Sequence, residues 1–522
     1  MCGIAVTIDL PPPCGGSKSR NCLNAFELTE EMVERLRPRG PDDASTTRVV
    51  GPLQSEDGAD VIAIVPEVVL GHTRLAIVGG SEAKSPFSWP ANEGGGGKKM
   101  FLIHNGEIYN HQQLKRQLIE EGYCTACDFT TECDSEVLLA CCAEKGVEWT
   151  LRHVRGMFAF VLVEVTMTRK GERYSNDGEA ILSRIIVARD TFGIKPLCCG
   201  WDDNQSRVVF ASQVAAIPKL AFDERRSVQV KDILPGTFVE YIFLQSANSP
   251  SNWKYDYKIH QYTSNDFDLR NMLSGHRSEG TSGSYSFEDK DSLVKLREKL
   301  IDAVKCRVPP PGSVGTAVLL SGGLDSSLIT TIAAGLMGDD KKLHTFNISF
   351  ADAVGTDQAY ARLARDHLSN VHHKEVTFTF QEGLEALPHV IECLETYDPV
   401  SVRAGVPLYL LSKHIKSLGF KVILCGEGAD EVFAGYRLFE AFRPRNSADE
   451  EAFHSELCRR LQHIDTSELQ RVDRCTSAHG LEARVPFLDL AFVSAAMQFP
   501  TIEVRIASVS HHGRSRCSTR EA

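Results

Sequence analysis

Short apolar runs alternate with turn-forming residues over roughly the first 240 positions of the chain. VVLGHTRLAIV, FLIHNGEIY, MFAFVLVEV, AILSRIIVARD and RVVFAS carry that pattern, which predicts strands rather than helices and a sheet-rich first half. Two polar inserts, Pro11 to Gly16 and the Gly94 to Gly97 run, suit surface loops. From Ser264 to Lys290 the chain turns to Ser, Gly, Asp and Glu without periodicity, as a linker does. Beyond it the pattern changes. SLVKLREKLIDAV is amphipathic, TAVLL strand-like, SLITTIAAGLM helix-like and LHTFNISF strand-like, and VPLYLLSKHIKSLGF precedes KVILCGEG. Strand, loop, helix and strand in that order predict an α/β parallel sheet. The expected organisation is a first domain over residues 2–240, a linker with a variable insert over 241–290, and a second domain over 291–522.

A length of 522 residues agrees with two domains, since it exceeds what one core organises. Composition narrows the classes further. With 42% apolar and 24% charged residues and a net charge of -12, the chain is an ordinary globular protein without a nucleic-acid partner. MCGIAVTIDL lacks a basic start and a long apolar core, so it does not read as a secretory signal, and no stretch is apolar enough to span a bilayer. Sixteen cysteines are scattered without a repeated CxxC spacing; reduced thiols in a cytoplasmic enzyme are the simpler account.

Cys2 follows the initiator methionine directly, and removal of Met1 would place its thiol beside its own α-amine. That amine has a reference pKa of about 7.7–8.0 and can accept the thiol proton, so no separate histidine base is required. A two-residue start matches by accident often, but the neighbourhood sharpens it. MCGI, RGPD (Arg39 to Asp42), GHTRLAIV (Gly71 to Val78), NGEIYN (Asn105 to Asn110), TECDSEV (Thr131 to Val137) and ARDTFGIKPL (Ala188 to Leu197) occur in order. Together they closely resemble the glutaminase domain of class II amidotransferases. The resemblance implies an N-terminal-nucleophile sandwich with αββα layers, a γ-glutamyl thioester on Cys2, and an oxyanion held by the Asn105 amide and the Gly106 N–H. It also implies a glutamine clamp: Arg74 on the carboxylate, Asp134 on the ammonium, and Glu107 with backbone groups around Leu75, Ala76, Ile77 and Val78. Pro38 and Gln213 depart from the family pattern without touching the nucleophile or the clamp.

The second half carries SGGLDSS, Ser321 to Ser327, between an apolar strand and a helix-like run, where a phosphate-binding loop belongs. It has no lysine and does not fit GxxxxGK[ST], so a Walker-type ATPase is disfavoured. Asp325 sets a carboxylate where phosphate would sit, a conflict that Mg2+ resolves by bridging the two anions. The segment resembles the PP-loop of ATP-pyrophosphatases, which form acyl-adenylates from ATP. ATP contacts are thus expected from Leu319, Ser321, Gly322, Gly323, Leu324, Asp325, Ser326, Ser327, Ile348, Cys425 and Gly426. Asp325 and Asp430 are the expected metal ligands, with Glu427, in KVILCGEGADEVFAGY, at the reacting centre. Cys425 stands where many relatives have serine.

ETYDPVSVRAG (Glu395 to Gly405) and DRCTSAHGLEARVPFLD (Asp473 to Asp489) are similar to segments of asparagine synthetases. That resemblance implies glutamine-dependent conversion of aspartate through β-aspartyl-AMP, with Arg403 and Ser401 on the aspartate, and a dry passage for ammonia. Dimers are common in that family, and a homodimer is the corresponding expectation. After PFLD the family continues through a lysine-rich, phosphate-contacting stretch; here the chain reads TIEVRIASVSHHGRSRCSTREA, which predicts slow or absent synthesis with glutamine hydrolysis retained. Two competitors share the architecture: an amidotransferase acting on another carboxylate, and a catalytically incomplete homologue retaining only glutaminase or binding activity.

Overall fold

The structure is a computed structural model that describes residues 1–10, 23–50, 66–80, 82–90, 97–167, 180–203, 206–222, 227–246, 249–262, 286, 288–310, 313–337, 342–351, 356–441 and 447–499. The expected loop at Pro11 to Gly16, most of the Gly94 to Gly97 run, most of the linker and the residues after 499 lie outside this set. The chain divides into two units, Met1–Tyr262 with Ser477–Gly480, and Thr263–Thr476 with Leu481–Ala522.

Among the described residues, twelve strands build the first unit: β1 (Gly3–Asp9), β2 (Asp43–Val50), β3 (Glu67–Arg74), β4 (Phe87–Trp89), β5 (Lys98–Ile108), β6 (Gly156–Met167), β7 (Ala180–Arg189), β8 (Cys198–Asp202), β9 (Arg207–Ala211), β10 (Val228–Asp232), β11 (Thr237–Ser246) and β12 (Ser249–Gln261). They form two six-stranded antiparallel sheets, ordered β10-β8-β9-β1-β3-β2 and β12-β11-β7-β6-β5-β4. Period-two alternation decides what each face touches. Ile4, Val6 and Ile8 of β1 join Val161, Val163, Ile185 and Val187 of the other sheet in the central core. On the opposite face of β1, Ala5 meets Leu28, Met32, Val33 and Leu36 of helix α1 (Ala25–Leu36).

The outer face of the second sheet supplies Leu102, Phe158, Phe160 and Leu162. These pack on helices α2 (His111–Glu120), α3 (Asp134–Glu144) and α4 (Val147–His153). The layers are helix, sheet, sheet, helix, as expected for an N-terminal-nucleophile sandwich. The boundary differs. β11 runs to Ser246 and β12 pairs with it out to Gln261, so much of the stretch expected as linker belongs to the sheet. Val239, Tyr241 and Phe243 of β11 are buried in the core, and that burial holds the sheet beyond residue 240. The GHTRLAIV pattern also stops being a strand at Arg74, because the following residues form a loop.

Among the described residues, five parallel strands organise the second unit: β13 (Thr316–Leu319), β14 (Leu343–Phe350), β15 (Val371–Phe378), β16 (Val422–Leu424) and β17 (Glu482–Arg484), in the order β15-β14-β13-β16-β17. Among its helices are α5 (Lys290–Arg307), α6 (Leu324–Met337), α7 (Thr356–Asp366), α8 (Phe380–Leu394), α9 (Pro399–Ser417), α10 (Ala429–Phe433), α11 (Ser447–Gln462), α12 (Glu468–Ser477) and α13 (Leu490–Ala496). The strand order reverses direction at β13, so connections leave on opposite sides of it. In open parallel sheets that reversal opens a crevice at the carboxyl ends of the two central strands, where ligands bind. Here those ends lead into SGGLDSS and CGEGAD, brought side by side by the pairing of Val318 with Leu424.

Candidate active sites

The first site is built around β1, β3 and β5. Cys2 precedes β1 and is partly exposed. Its backbone N–H donates to Asn105 Oδ1 at 3.1 Å. Asn105 is fully buried, and its Nδ2 has no hydrogen-bond partner among the described residues. A buried amide N–H without an acceptor costs free energy unless something occupies its direction, which marks it as a ready donor. Gly106 follows with φ of 151°, and a Cβ there would lie 2.0 Å from Met157 O, so only glycine fits.

His72 was given no role by sequence reasoning. It is buried on β3, two residues before Arg74 and therefore on the same strand face. Its Nε2 lies 2.9 Å from His104 O, and because a carbonyl only accepts, Nε2 carries the proton and Nδ1 is left as the acceptor. Burial opposes ionisation of the Cys2 thiol, but the His72 imidazole, the N-terminal charge and the Leu75 N–H outweigh it and hold the thiol below its ordinary pKa. In the chain carrying Met1 the amine belongs to that residue, whose buried sulfur lies 2.8 Å from Lys195 Nζ. His72 thus stands beside the thiol as a neighbour that sequence reasoning did not name.

The loop after β3 carries the expected clamp residues Leu75, Ala76, Ile77 and Val78. Arg74 Nη2 donates to Val78 O at 2.9 Å, and Ala76 N–H donates to Asp42 Oδ2 at 2.7 Å, so the RGPD segment holds this loop too. Gly79 brings the loop against Cys133, which stands beside Asp134 at the start of α3. Asp134 is buried and accepts from Ile108 N–H at 2.8 Å; Glu107 is also buried. The facing sheets and the start of α3 therefore gather Cys2, Arg74, Asn105, Gly106, Glu107 and Asp134, which are separated by up to about 130 positions in sequence.

The second site lies at the end of β13. Leu319 closes that strand, and Ser321, Gly322 and Gly323 form the turn into α6, which starts at Leu324. Ser326 Oγ bridges Ser321 Oγ at 3.0 Å and Gly323 O at 3.1 Å, and Ser327 N–H bonds Gly323 O at 3.1 Å, so the loop wraps around its own helix start. Gly322 has φ of 88° and abuts the Tyr360–Ala361 backbone of α7, leaving no room for a side chain. Across the crevice, a Cβ on Gly426 would stand 3.2 Å from Asp325 Cβ, which shows how tightly the two loops meet. Ile348 on β14 is half-buried. The Cys425 thiol points toward Arg484 O at 3.8 Å, a neighbour contributed by β17, so its side chain is turned toward the sheet.

Carboxylates crowd this crevice. Burial and the charge of Asp430 push the Asp325 carboxyl up to about 6. Burial also raises Glu427, with Arg471 opposing and Glu468 and Asp430 reinforcing. Glu431 is pushed up to about 7, chiefly by burial, against the Tyr436 hydroxyl that donates to it. Arg471, Glu468 and Tyr436 were not singled out from the sequence. Arg471 Nη2 lies 3.3 Å from Glu427 Oε1. Ser401 lies in the first turn of α9, its N–H accepted by the Asp398 carboxylate at 2.8 Å, and Arg403 is exposed two residues on.

The family model described as glutamine amidotransferase domain matches residues 1–250, and that described as asparagine synthase matches residues 295–447 and 440–507. An asparagine synthetase [glutamine-hydrolyzing] of Zea mays is 33% identical over 504 residues, 95% of this chain and 70% of its own length. Asparagine synthetase B [glutamine-hydrolyzing] of Escherichia coli is 33% identical over 490 residues, 91% of this chain and 73% of its own length. A third, asparagine synthetase [glutamine-hydrolyzing] 3 of Arabidopsis thaliana, is 32% identical over 504 residues, 95% of this chain and 71% of its own length. Among the described residues no helix is long and apolar enough to cross a membrane. With both halves matched in order, the chain belongs to the family of glutamine-hydrolysing asparagine synthetases.

Proposed function

We propose that this protein makes asparagine from aspartate, ATP and glutamine, using the first unit to release ammonia and the second to activate aspartate. The observation that carries the glutaminase half is Asn105, whose Oδ1 is taken by the Cys2 N–H while its buried Nδ2 is left to face incoming negative charge. Attack of the Cys2 thiolate on the glutamine side-chain amide forms a tetrahedral oxyanion, which Asn105 Nδ2 and the Gly106 N–H stabilise. Collapse expels ammonia and leaves the γ-glutamyl thioester, which water hydrolyses to glutamate. Arg74 exchanges Val78 O for the glutamine carboxylate, and Asp134 with Glu107 takes the ammonium. His72 Nδ1 holds the thiol proton that Cys2 gives up, acting beside an α-amine freed by loss of Met1.

In the second unit, the turn from Ser321 to Ser327 cradles the departing pyrophosphate of ATP with its N–H groups and hydroxyls. Leu319, Ile348, Cys425 and Gly426 border the nucleotide. Asp325 and Asp430 repel each other enough to raise the proton affinity of Asp325, a donor pair suited to Mg2+, which takes few carboxylates and completes its shell with phosphate oxygens. When bound, the ion neutralises charge on the phosphates. Ser401 and Arg403 orient the aspartate, and Glu427 stands at the carbon that ammonia attacks. The cytoplasm suits a chain whose described cysteines are all free, and a homodimer completes the reading.

Aspartate-dependent exchange of labelled pyrophosphate into ATP tests the proposal. Exchange with aspartate is the expected result. Exchange with a different acid alone would reassign the substrate, and none with any amino acid would overturn the synthetase half.

A further inference from the structure

Three side chains of one helix reach the two segments on which the synthetase reading depends. On α12, Gln470 Nε2 donates to Leu394 O at 2.9 Å, Arg474 Nη2 pairs with Glu395 Oε2 at 3.0 Å, and Arg471 Nη2 pairs with Glu427 Oε1 at 3.3 Å and Oε2 at 3.5 Å. Positions 471 and 474 are one turn apart and share a face of the helix. Cys475 lies on that face as well, against Gly405 of α9, where an added Cβ would stand 3.4 Å from its sulfur.

Glu395 is an unusual anchor. It has φ of 57°, a left-handed conformation that a residue with a side chain adopts at a cost, and strain of this kind persists only where the surroundings impose it. It ends α8 and opens the segment whose Asp398 caps α9, so its geometry sets where Ser401 and Arg403 begin. The Arg474–Glu395 pair is nearly enclosed, with side-chain exposures of 6% and 13%. An ion pair removed from water is a poor source of stability compared with apolar packing, and its best-attested use is to define one arrangement among several. Leu469 and Val472, also buried on α12, already supply apolar packing.

Resting on the synthetase reading above, we propose that α12 is a clasp that registers the aspartate-binding segment against Glu427, with Arg474 acting through Glu395 and Arg471 acting on Glu427. Both arginines are positioning residues. Around Glu427 the facing charged groups are Arg471 and Glu468 from α12 and Asp430 and Glu431 from α10, so Arg471 is the cation that opposes three acids there.

The test compares Arg474→Met, Arg474→Lys and Arg471→Met in the full chain with ammonia as nitrogen donor, alongside hydrogen exchange of the ligand-free proteins. Arg474→Met raises KM for aspartate about tenfold with kcat within about twofold, and Arg474→Lys recovers most of the loss. Arg471→Met shows the reverse split, lowering kcat about tenfold with KM for aspartate nearly kept. Amides of residues 395–401 exchange faster in Arg474→Met than in the unaltered protein and slow again in Arg474→Lys. Glutamine hydrolysis stays constant throughout. Identical losses in kcat and KM for both arginines, or unchanged exchange over 395–401, would overturn the clasp. An unaltered protein without aspartate-dependent turnover would refute the synthetase reading instead, and the exchange arm would still judge the clasp.

Discussion

The two candidate sites treat their ionisable groups in opposite ways. In the first unit the reactive thiol is drawn toward its charged form, because an imidazole and an N–H face it and outweigh the cost of burial. In the second, Asp325, Glu427 and Glu431 are all drawn toward their neutral forms, because burial is reinforced by neighbouring carboxylates. Protein atoms alone complete the first arrangement, with an oxyanion donor already in place. In the second, the proposed Mg2+ and the phosphates of ATP would offset the crowding of carboxylates. The contrast fits the proposed division of labour, in which one unit needs little beyond its substrate while the other takes a nucleotide with Mg2+.

The largest effect expected is also the sharpest test of whether the sites are separable. Cys2→Ala lowers glutamine-driven asparagine formation by at least about 10³-fold and leaves ammonia-driven formation unchanged. Parallel assays with glutamine and with ammonium salt measure this, and equal losses with both nitrogen sources would break the comparison.

Asp325→Asn probes the second site from two directions. Pyrophosphate exchange falls by about 10²-fold, whereas the ligand-free unit gains stability at alkaline pH. The folded value of about 6 lies above the ordinary 3.8, so the folded state holds this proton more tightly than the unfolded state. The stability associated with it is present at low pH and is lost as pH rises from about 4 through about 6. Asparagine never ionises, so the variant is more stable by roughly 1–2 kcal/mol at pH about 8 after allowance for solvent screening, and the gap closes near pH 4. Urea titrations at the two pH values read both ends of this prediction.

The smallest effect concerns the thiol. His72→Asn raises the pH at which Cys2 reacts with iodoacetamide, since the imidazole no longer favours the thiolate. An unchanged alkylation profile would remove His72 from the account of that bias.

Much of both sites was legible because their motifs are local. SGGLDSS between an apolar run and a helical run already describes a strand, a turn and a helix start, and the structure places that turn from Ser321 into α6. Cys2, Arg74, Asn105 and Asp134 were likewise recognisable within short ordered segments. His72 escaped notice although its two-residue offset from Arg74 puts both on one face of β3. Arg471 carried no local signal, and Arg474 was given no role although it lies in the DRCTSAHGLEARVPFLD segment, since arginine on an amphipathic helix is ordinarily solvated.

Along the chain, apolar spacing and short motifs determined strand and helix identity, the two-unit organisation and the kind of chemistry each unit holds. Strand partners determined the rest. The pairing of β13 with β16 joins residues more than 100 positions apart and decides that Asp325 meets Asp430, while that of β1 with β3 brings His72 to the start of the strand that follows Cys2. Periodicity reports which face of an element is apolar, but it does not report which neighbour covers that face. The charge environment of a buried group depends on that neighbour, and so the opposite ionisation preferences of the two sites emerged only from the tertiary structure.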